Sequence, residues 1–242
     1  MAMAMRFRYR LALWSLAVLA ALAGLLLVLR SIALYKARKT QARAELLLSR
    51  ALELEVGRAT RSQVEQLIRQ FGPVRYAPPS TPIWLSPYPA PVQPGRAPGD
   101  KGSMVEACMG YSETFGFVFE NSAMHHLGLA PLMRLGVGLS VYRGVLCARA
   151  VSFGSGTGMR SVGIDIHEYW PAPNNTGWFQ ARLSRLQTYI DLGAPVPEDV
   201  RRGLYSFSFS CLSRVGGCRR SQDLLPWIWA QRGRKGVQFE SE

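Results

Sequence analysis

Histidine is scarce in this chain: three residues in 242, at His125, His126 and His167. Lysine is scarce as well, with four residues against twenty-five arginines, and the first 43 residues contain no acidic group at all. No C-x-x-C pair, H-E-x-x-H helix, G-x-S-x-G elbow or G-K-(S/T) loop occurs. These absences remove the common zinc and thioredoxin-type spacings, the zinc-protease helix, the commonest serine-hydrolase elbow and the P-loop. No motif asks for a cofactor or a metal, so none is expected.

What is present begins with "LALWSLAVLAALAGLLLVL", residues 11 to 29, nineteen consecutive residues without a charge. At 1.5 Å rise per residue such a run covers roughly the hydrocarbon thickness of a bilayer. It is longer than the apolar region of a cleaved signal peptide, and "VLRSIALYKARK" lacks a small-x-small cleavage site, so the reading is an uncleaved signal anchor. Trp14 and Tyr35 lie near its two ends, where amphipathic rings sit at headgroup level, and Arg30 and Lys36 mark the far end with positive charge. Ala17/Ala21 and Ala20/Gly24 are small pairs four apart, a spacing that lets a second helix approach closely and that also arises by chance in an Ala/Leu-rich span.

The net charge of +13 would suggest nucleic acid as a partner, but eight of the 29 basic residues fall in residues 1 to 43, around the apolar run. Basic residues placed there meet anionic headgroups, which makes membrane lipid the expected partner and removes nucleic acid. The arginine excess fits carboxylate or phosphate recognition, and it fits a biased genome equally well.

Charge alone does not orient the span. Arg6, Arg8, Arg10 and the α-amine oppose Arg30, Lys36, Arg38, Lys39 and Arg43, a near balance that leans slightly against export of the domain beyond the span. The cysteines lean the other way. Cys108, Cys147, Cys211 and Cys218 are even in number, and in "CLSRVGGC" Gly216 and Gly217 give the backbone freedom to bring Cys211 and Cys218 together. Closing that eight-residue loop would stabilise by about 2.5 kcal/mol on the chain-entropy estimate. The alternative is that all four are small buried thiols. The disulfide is the expectation here, and with it a single-pass cell-membrane protein whose domain is extracytoplasmic.

The fold class expected is α+β: an N-terminal transmembrane helix, a juxtamembrane helix pair, and an antiparallel sheet of about five strands with C-terminal helices. The segments are a basic tail over 1 to 10, the transmembrane helix over 11 to 35, the helix pair over 36 to 72, a Pro-rich arm over 73 to 100 and the α+β domain over 101 to 242. The spacing predicts that the first helix runs on past the span and is capped near Gly57. In "GRATRSQVEQLIRQFGP" a second helix is written by Thr60 and Gln63 as a capping box, by Val64, Leu67, Ile68 and Phe71 as an apolar face, and by Gly72-Pro73 as its stop. Residues 73 to 98 hold nine of the fifteen prolines, which excludes helix interior and central strand. The segments "MVEACM", "TFGFVFE", "RLGVGLSVY", "VLCARAVSF" and "SVGIDIHEY" alternate as strands, with a hairpin turn at Arg143-Gly144. "PEDVRRGLYSFSFSCL" is read as helix, although Tyr205, Phe207 and Phe209 alternate like a strand, and Ser221 is expected to cap a last short helix.

"LEVGRATRSQVEQLIRQFGPVRY" resembles the opening of the BamE/SmpA-like family at Gly57, Thr60, Val64, Phe71, Gly72 and Pro73. The resemblance covers about twenty residues and implies a helix feeding a small antiparallel sheet. The chain departs from the lipoproteins of that family: no lipid-attachment cysteine comes after the apolar run, and the Pro-rich arm separates helix from strands. "FENSAMHHLGLAPLMRLGVGLSVYRGVL" and "CLSRVGGCRRSQDLLPW" are similar to bacterial single-span membrane proteins, a likeness that implies no activity.

No convincing catalytic set emerges. Were there one, His167 and Glu168 on a strand end, with Glu120 nearby, would be the acid/base candidates. "FGSGTGMR" runs into a strand rather than a helix N-terminus and so reads as a hairpin loop. The functional expectation is a membrane-anchored, non-catalytic accessory, scaffold or assembly subunit that contacts other envelope or membrane-complex proteins. The alternatives are a membrane-tethered enzyme and a small-ligand sensor.

Overall fold

The computed structural model describes residues 2–72, 75–77, 108, 112–155, 161–170, 178–193, 196–231 and 237–239. The Pro-rich arm beyond Ala77, most of "MVEACM", and residues 156–160 of the Gly-rich loop lie outside them. The class is α+β, as the sequence pattern implies.

Helix α1 runs unbroken from Ala2 to Glu53, 52 residues. Two different surfaces share it. From Leu13 to Ile32 every residue is exposed, an apolar cylinder long enough to cross a membrane. From Ala33 onward one stripe turns inward: Ala33, Ala37, Ala44, Leu47, Leu48 and Ala51 are all buried. Their spacing of three, four and seven keeps them on one face of an α-helix, and the alanines let neighbouring backbone come close. Ala33 and Ala37 pack with Met124 and Ala130, while Ala44 to Ala51 belong to the main core.

The helix stops four residues before the expected cap. Gly57 is not the end of α1 but the pivot of the turn after it: its φ is +92°, its N–H donates to Leu146 O at 2.7 Å, and a Cβ there would overlap the Trp170 ring. Only glycine meets both demands. Helix α2 (Arg61–Phe71) then forms as written. The Thr60 N–H donates to Gln63 Oε1 at 2.8 Å, Val64, Leu67 and Phe71 are buried, and the Gly72 N–H closes on Ile68 O.

The strands are β1 (Arg75–Ala77), β2 (Glu113–Glu120), β3 (Met133–Tyr142), β4 (Val145–Ser155), β5 (Val162–Tyr169), β6 (Trp178–Leu183), β7 (Gln187–Gly193) and β8 (Val237–Phe239). They form one sheet in the order β1-β2-β3-β4-β5-β7-β6-β8. From β2 to β5 it is the antiparallel meander expected; the strand that pairs with β2 at the edge is β1, from the start of the Pro-rich arm, a place the sequence reading assigns to "MVEACM". Beyond β5 it becomes mixed, because β7 joins β5 in parallel and β8 joins β6 in parallel. "WFQARL" and "QTYIDLG" had no place in the five-strand reading. β7 inserts between β5 and β6, so the chain passes over one strand position before returning, a connection that local alternation does not reveal.

One face of the sheet is apolar and carries the core. Phe117, Leu135, Val137, Leu139, Val151, Phe153, Ile164, Ile166, Leu183, Ile190 and Leu192 line it, covered by the second half of α1, by α2 and by the C-terminal segments. Helix α3 (Ser122–His126) is a single turn between β2 and β3.

The helix expected over 198–211 is shorter than that. Helix α4 covers Glu198–Leu204 with Tyr205 as its C-cap, residues 206–208 have no regular structure, and a 3₁₀ turn comes next at Phe209–Leu212. The helical start of the segment is real, and no strand forms after it. Tyr205 and Phe207 are buried, Phe207 meets the Phe153 ring edge-on at 5.7 Å, and the Ser208 N–H donates to Leu224 O. Ser221 is the first residue of helix α5 (Ser221–Leu224), not its cap. Asp223 accepts from the Arg220 N–H at 3.2 Å, which frees the Ser221 hydroxyl to donate to Ser184 O at 2.7 Å. Helix α6 (Pro226–Ala230) ends the packed region with proline in its first position, where no N–H is needed.

Candidate functional site at the head of the long helix

The last carbonyls of any α-helix lack intrahelical donors and carry partial negative charge. At the end of α1 these carbonyls are buried, and arginines meet them. Arg149 Nη1 donates to Ala51 O at 2.6 Å and to Leu54 O at 3.3 Å, and Arg201 Nη2 donates to Leu52 O. Arg149 is fully buried and also gives Nε and Nη2 to Glu168 Oε2. The Tyr205 hydroxyl donates to the same oxygen at 3.2 Å, and the Tyr205 ring lies 5.4 Å from the guanidinium carbon.

A β-bulge makes this possible. Ser140 faces Ala148 while Val141 faces Leu146, so Cys147 is the extra residue. Leu146 and Arg149, three apart, both point inward, and Cys147 is turned to the opposite face, where it is joined to Cys108.

Electrostatically the network is closed. Burial pulls the Arg149 pKa down, but Glu168 and Tyr205 outweigh it, so the guanidinium is held above its ordinary value and stays charged. Burial first, and then the Glu168 charge, pushes the Tyr205 phenol above its ordinary range and keeps it a donor. Three donors on one buried carboxylate, two of them from an arginine that also holds the helix end, lock the helix to the sheet.

The sheet separates the residues that sequence reasoning paired. Neighbours on a strand face opposite sides, so Glu168 enters the core while His167 stands on the other face. His167 Nδ1 lies 3.5 Å from Asp191 Oδ1 on β7, and its ring lies 6.0 Å from Tyr169. Asp165, two residues along, shares that face, and its carboxyl is pushed up to about 6 by burial, against a smaller pull from His167. Tyr169 is raised by burial and by Asp191. Glu120 is elsewhere, on β2, paired with Arg134 at 2.6 Å. His125 and His126 are exposed on α3. Among the described residues no three metal-ligating side chains converge.

Asp165 therefore gives a pH-dependent prediction. Its folded pKa of about 6 lies above the ordinary 3.8, so the folded state binds the proton more tightly. Stability is greatest below the ordinary value and declines as pH rises through the folded one. Asp165→Asn is expected to raise the melting temperature at pH 8, with a gain on the order of 2–3 kcal/mol that shrinks to nothing near pH 4. Thermal unfolding of both proteins across that range checks it; a pH-independent difference would remove the titration argument.

The membrane-anchor residues named from sequence are all exposed on α1. Trp14 and Tyr35 are 74% and 70% exposed and 21 helical residues apart, about 32 Å at 1.5 Å each. Arg30 and Lys36 are exposed between and beyond them. Cys211 and Cys218 are joined, with Cα atoms 5.3 Å apart, and Cys108 is joined to Cys147, Cα atoms 6.0 Å apart. Sequence reasoning missed Arg149, Tyr205, Asp165 and Asp191. Only Arg149 left a signal, as the single charge within the apolar strand "VLCARAVSF".

The architecture thus defines a class: an α+β domain on a mixed sheet, built around the continuation of one apolar N-terminal helix long enough to cross a membrane. No family model, curated protein or solved structure matches the chain.

Proposed function

We propose that the protein is a single-pass, membrane-anchored, non-catalytic accessory or scaffold subunit, with its domain on the extracytoplasmic side, that contacts other membrane or envelope proteins. The observation that carries this reading is that α1 has no hinge between its exposed apolar half and its buried half. Leu47, Leu48 and Ala51 are core residues, and the end of the helix is gripped by Arg149 and Arg201. A tether for a free-standing enzyme needs no such joint; a subunit that must hold one surface in register with a partner in the same membrane does. The two disulfides support the extracytoplasmic placement, since paired thiols persist in oxidising compartments.

The test is an insertion of one alanine between Arg30 and Ser31. It leaves every packed residue from Ala33 onward in its place and rotates the domain about 100° around the span, with a 1.5 Å shift. Domain stability should be unchanged, while cross-linking to the membrane protein that the wild-type chain captures in situ should fall by about tenfold or more. Equal cross-linking by the insertion variant, or no defined membrane protein captured by the wild type, would count against a scaffold held in register.

A further inference from the structure

The apolar run of α1 ends at Leu29, and Ala33, one turn further, is already packed against Met124 and Ala130. At 1.5 Å per residue that is about 6 Å, within the headgroup layer of a bilayer whose core ends at Leu29. The rim of the domain that holds α3 and the loop 127–131 is therefore the rim facing the membrane. The loop 213–219 adjoins this rim through Gly216, whose N–H donates to Leu129 O at 2.8 Å. Gly217, with φ +61°, sits where a Cβ would press on Pro131.

This rim combines two properties. Among the described residues outside α1, the exposed large hydrophobics are Leu127 and Val215, 42% and 46% exposed, and both stand here. The charge is also one-sided. Arg134 is answered by Glu120, but Arg185, Arg214 and Arg219 have no carboxylate partner among the described residues, and Arg185 and Arg219 line an open groove together with Leu129. The opposite rim carries both signs, with Arg50 paired to Glu53, Arg58 to Glu55, and Arg61 to both Glu65 and Glu113.

Resting on the reading that α1 spans a membrane, we infer that this rim is a second membrane contact: Leu127 and Val215 enter the headgroup boundary, and Arg214, Arg219 and Arg185 hold phosphate groups of anionic lipid. Arginine suits the task because its planar fork takes two phosphate oxygens at once and it keeps its charge at an interface. Exposed apolar tips flanked by arginine combine the two forces that hold surface-bound elements on anionic bilayers. The domain then lies against the leaflet, fixed at two points, the span and the rim.

Hydrogen exchange on the full chain tests this in vesicles of phosphatidylcholine alone, in vesicles also containing phosphatidylglycerol, and in detergent with inorganic phosphate. Amides of the loops 127–131 and 213–219 should exchange about tenfold more slowly in the phosphatidylglycerol vesicles than in phosphatidylcholine alone. That protection should be lost in Arg214→Ala/Arg219→Ala and weakened in Leu127→Ser/Val215→Ser, with β3 and β4 amides unchanged as the control for folding. Equal exchange in both vesicles, with the chain still resistant to alkaline extraction, overturns this inference and leaves the span intact. Release of the chain by alkaline extraction overturns both. The same protection from inorganic phosphate in detergent would assign the groove to a soluble phosphate compound and overturn the lipid reading.

Discussion

Arg149→Met should destabilise the domain by about 3–5 kcal/mol, the range found when one partner of a buried ion pair is removed. Methionine fills much of the same space but offers no donor. The Glu168 carboxyl group would be left in the core with only the Tyr205 hydroxyl to answer it, and the carbonyls of Ala51 and Leu54 would lose the Arg149 donor. The second change isolates the cause. In Arg149→Met/Glu168→Gln the uncompensated charge is gone and the amide can still accept from Tyr205, so more than half of the loss should return. Chemical unfolding of the three proteins, tracked by near-ultraviolet dichroism, decides the matter. A single variant as stable as the double would mean that the pair is not ionised in the fold.

The disulfides should differ in what they contribute. Cys108–Cys147 spans 39 positions and Cys211–Cys218 spans seven. On the chain-entropy estimate, breaking the first by paired serine substitution removes about 4 kcal/mol and breaking the second about 2.5 kcal/mol. The order should be the same in melting temperature, and wild-type protein from intact cells should take up a maleimide only after reduction and unfolding. Free labelling without reductant would sink the extracytoplasmic placement. It would leave the packing of Cys211, buried among Leu204, Leu212 and Leu224, as the only role of that thiol.

Much of the architecture was legible where a single period ran long enough. The span, α2 with its cap, and the meander from β2 to β5 each derive from eight or more residues of one pattern. The parallel strands were not legible, since "QTYIDLG" carries no mark of which neighbour it joins and its pairing depends on a residue pattern some twenty positions away. The second face of α1 was hidden for another reason: its packed stripe is mostly alanine within an Ala/Leu-rich helix, where periodicity has little contrast. The candidate site was the least legible part. Alternation alone places Arg149 on the apolar side of β4, which sequence reasoning treats as an anomaly, and only the bulge at Cys147 and the arriving helix end explain it. His167 and Glu168 looked like one site because adjacency in sequence says nothing about which face each neighbour takes.

The integration of α1 into the core also sets an order of events during synthesis. Ala51 waits for Arg149, 98 positions later, Leu52 for Arg201, 149 positions later, and Gln41 for Ser213, 172 positions later. At roughly 5–20 residues per second that delay is about 5–35 s. During it the stripe from Ala44 to Ala51 is already made and still lacks the C-terminal segments that cover it in the fold. Until they arrive, its cover must come from something other than this chain.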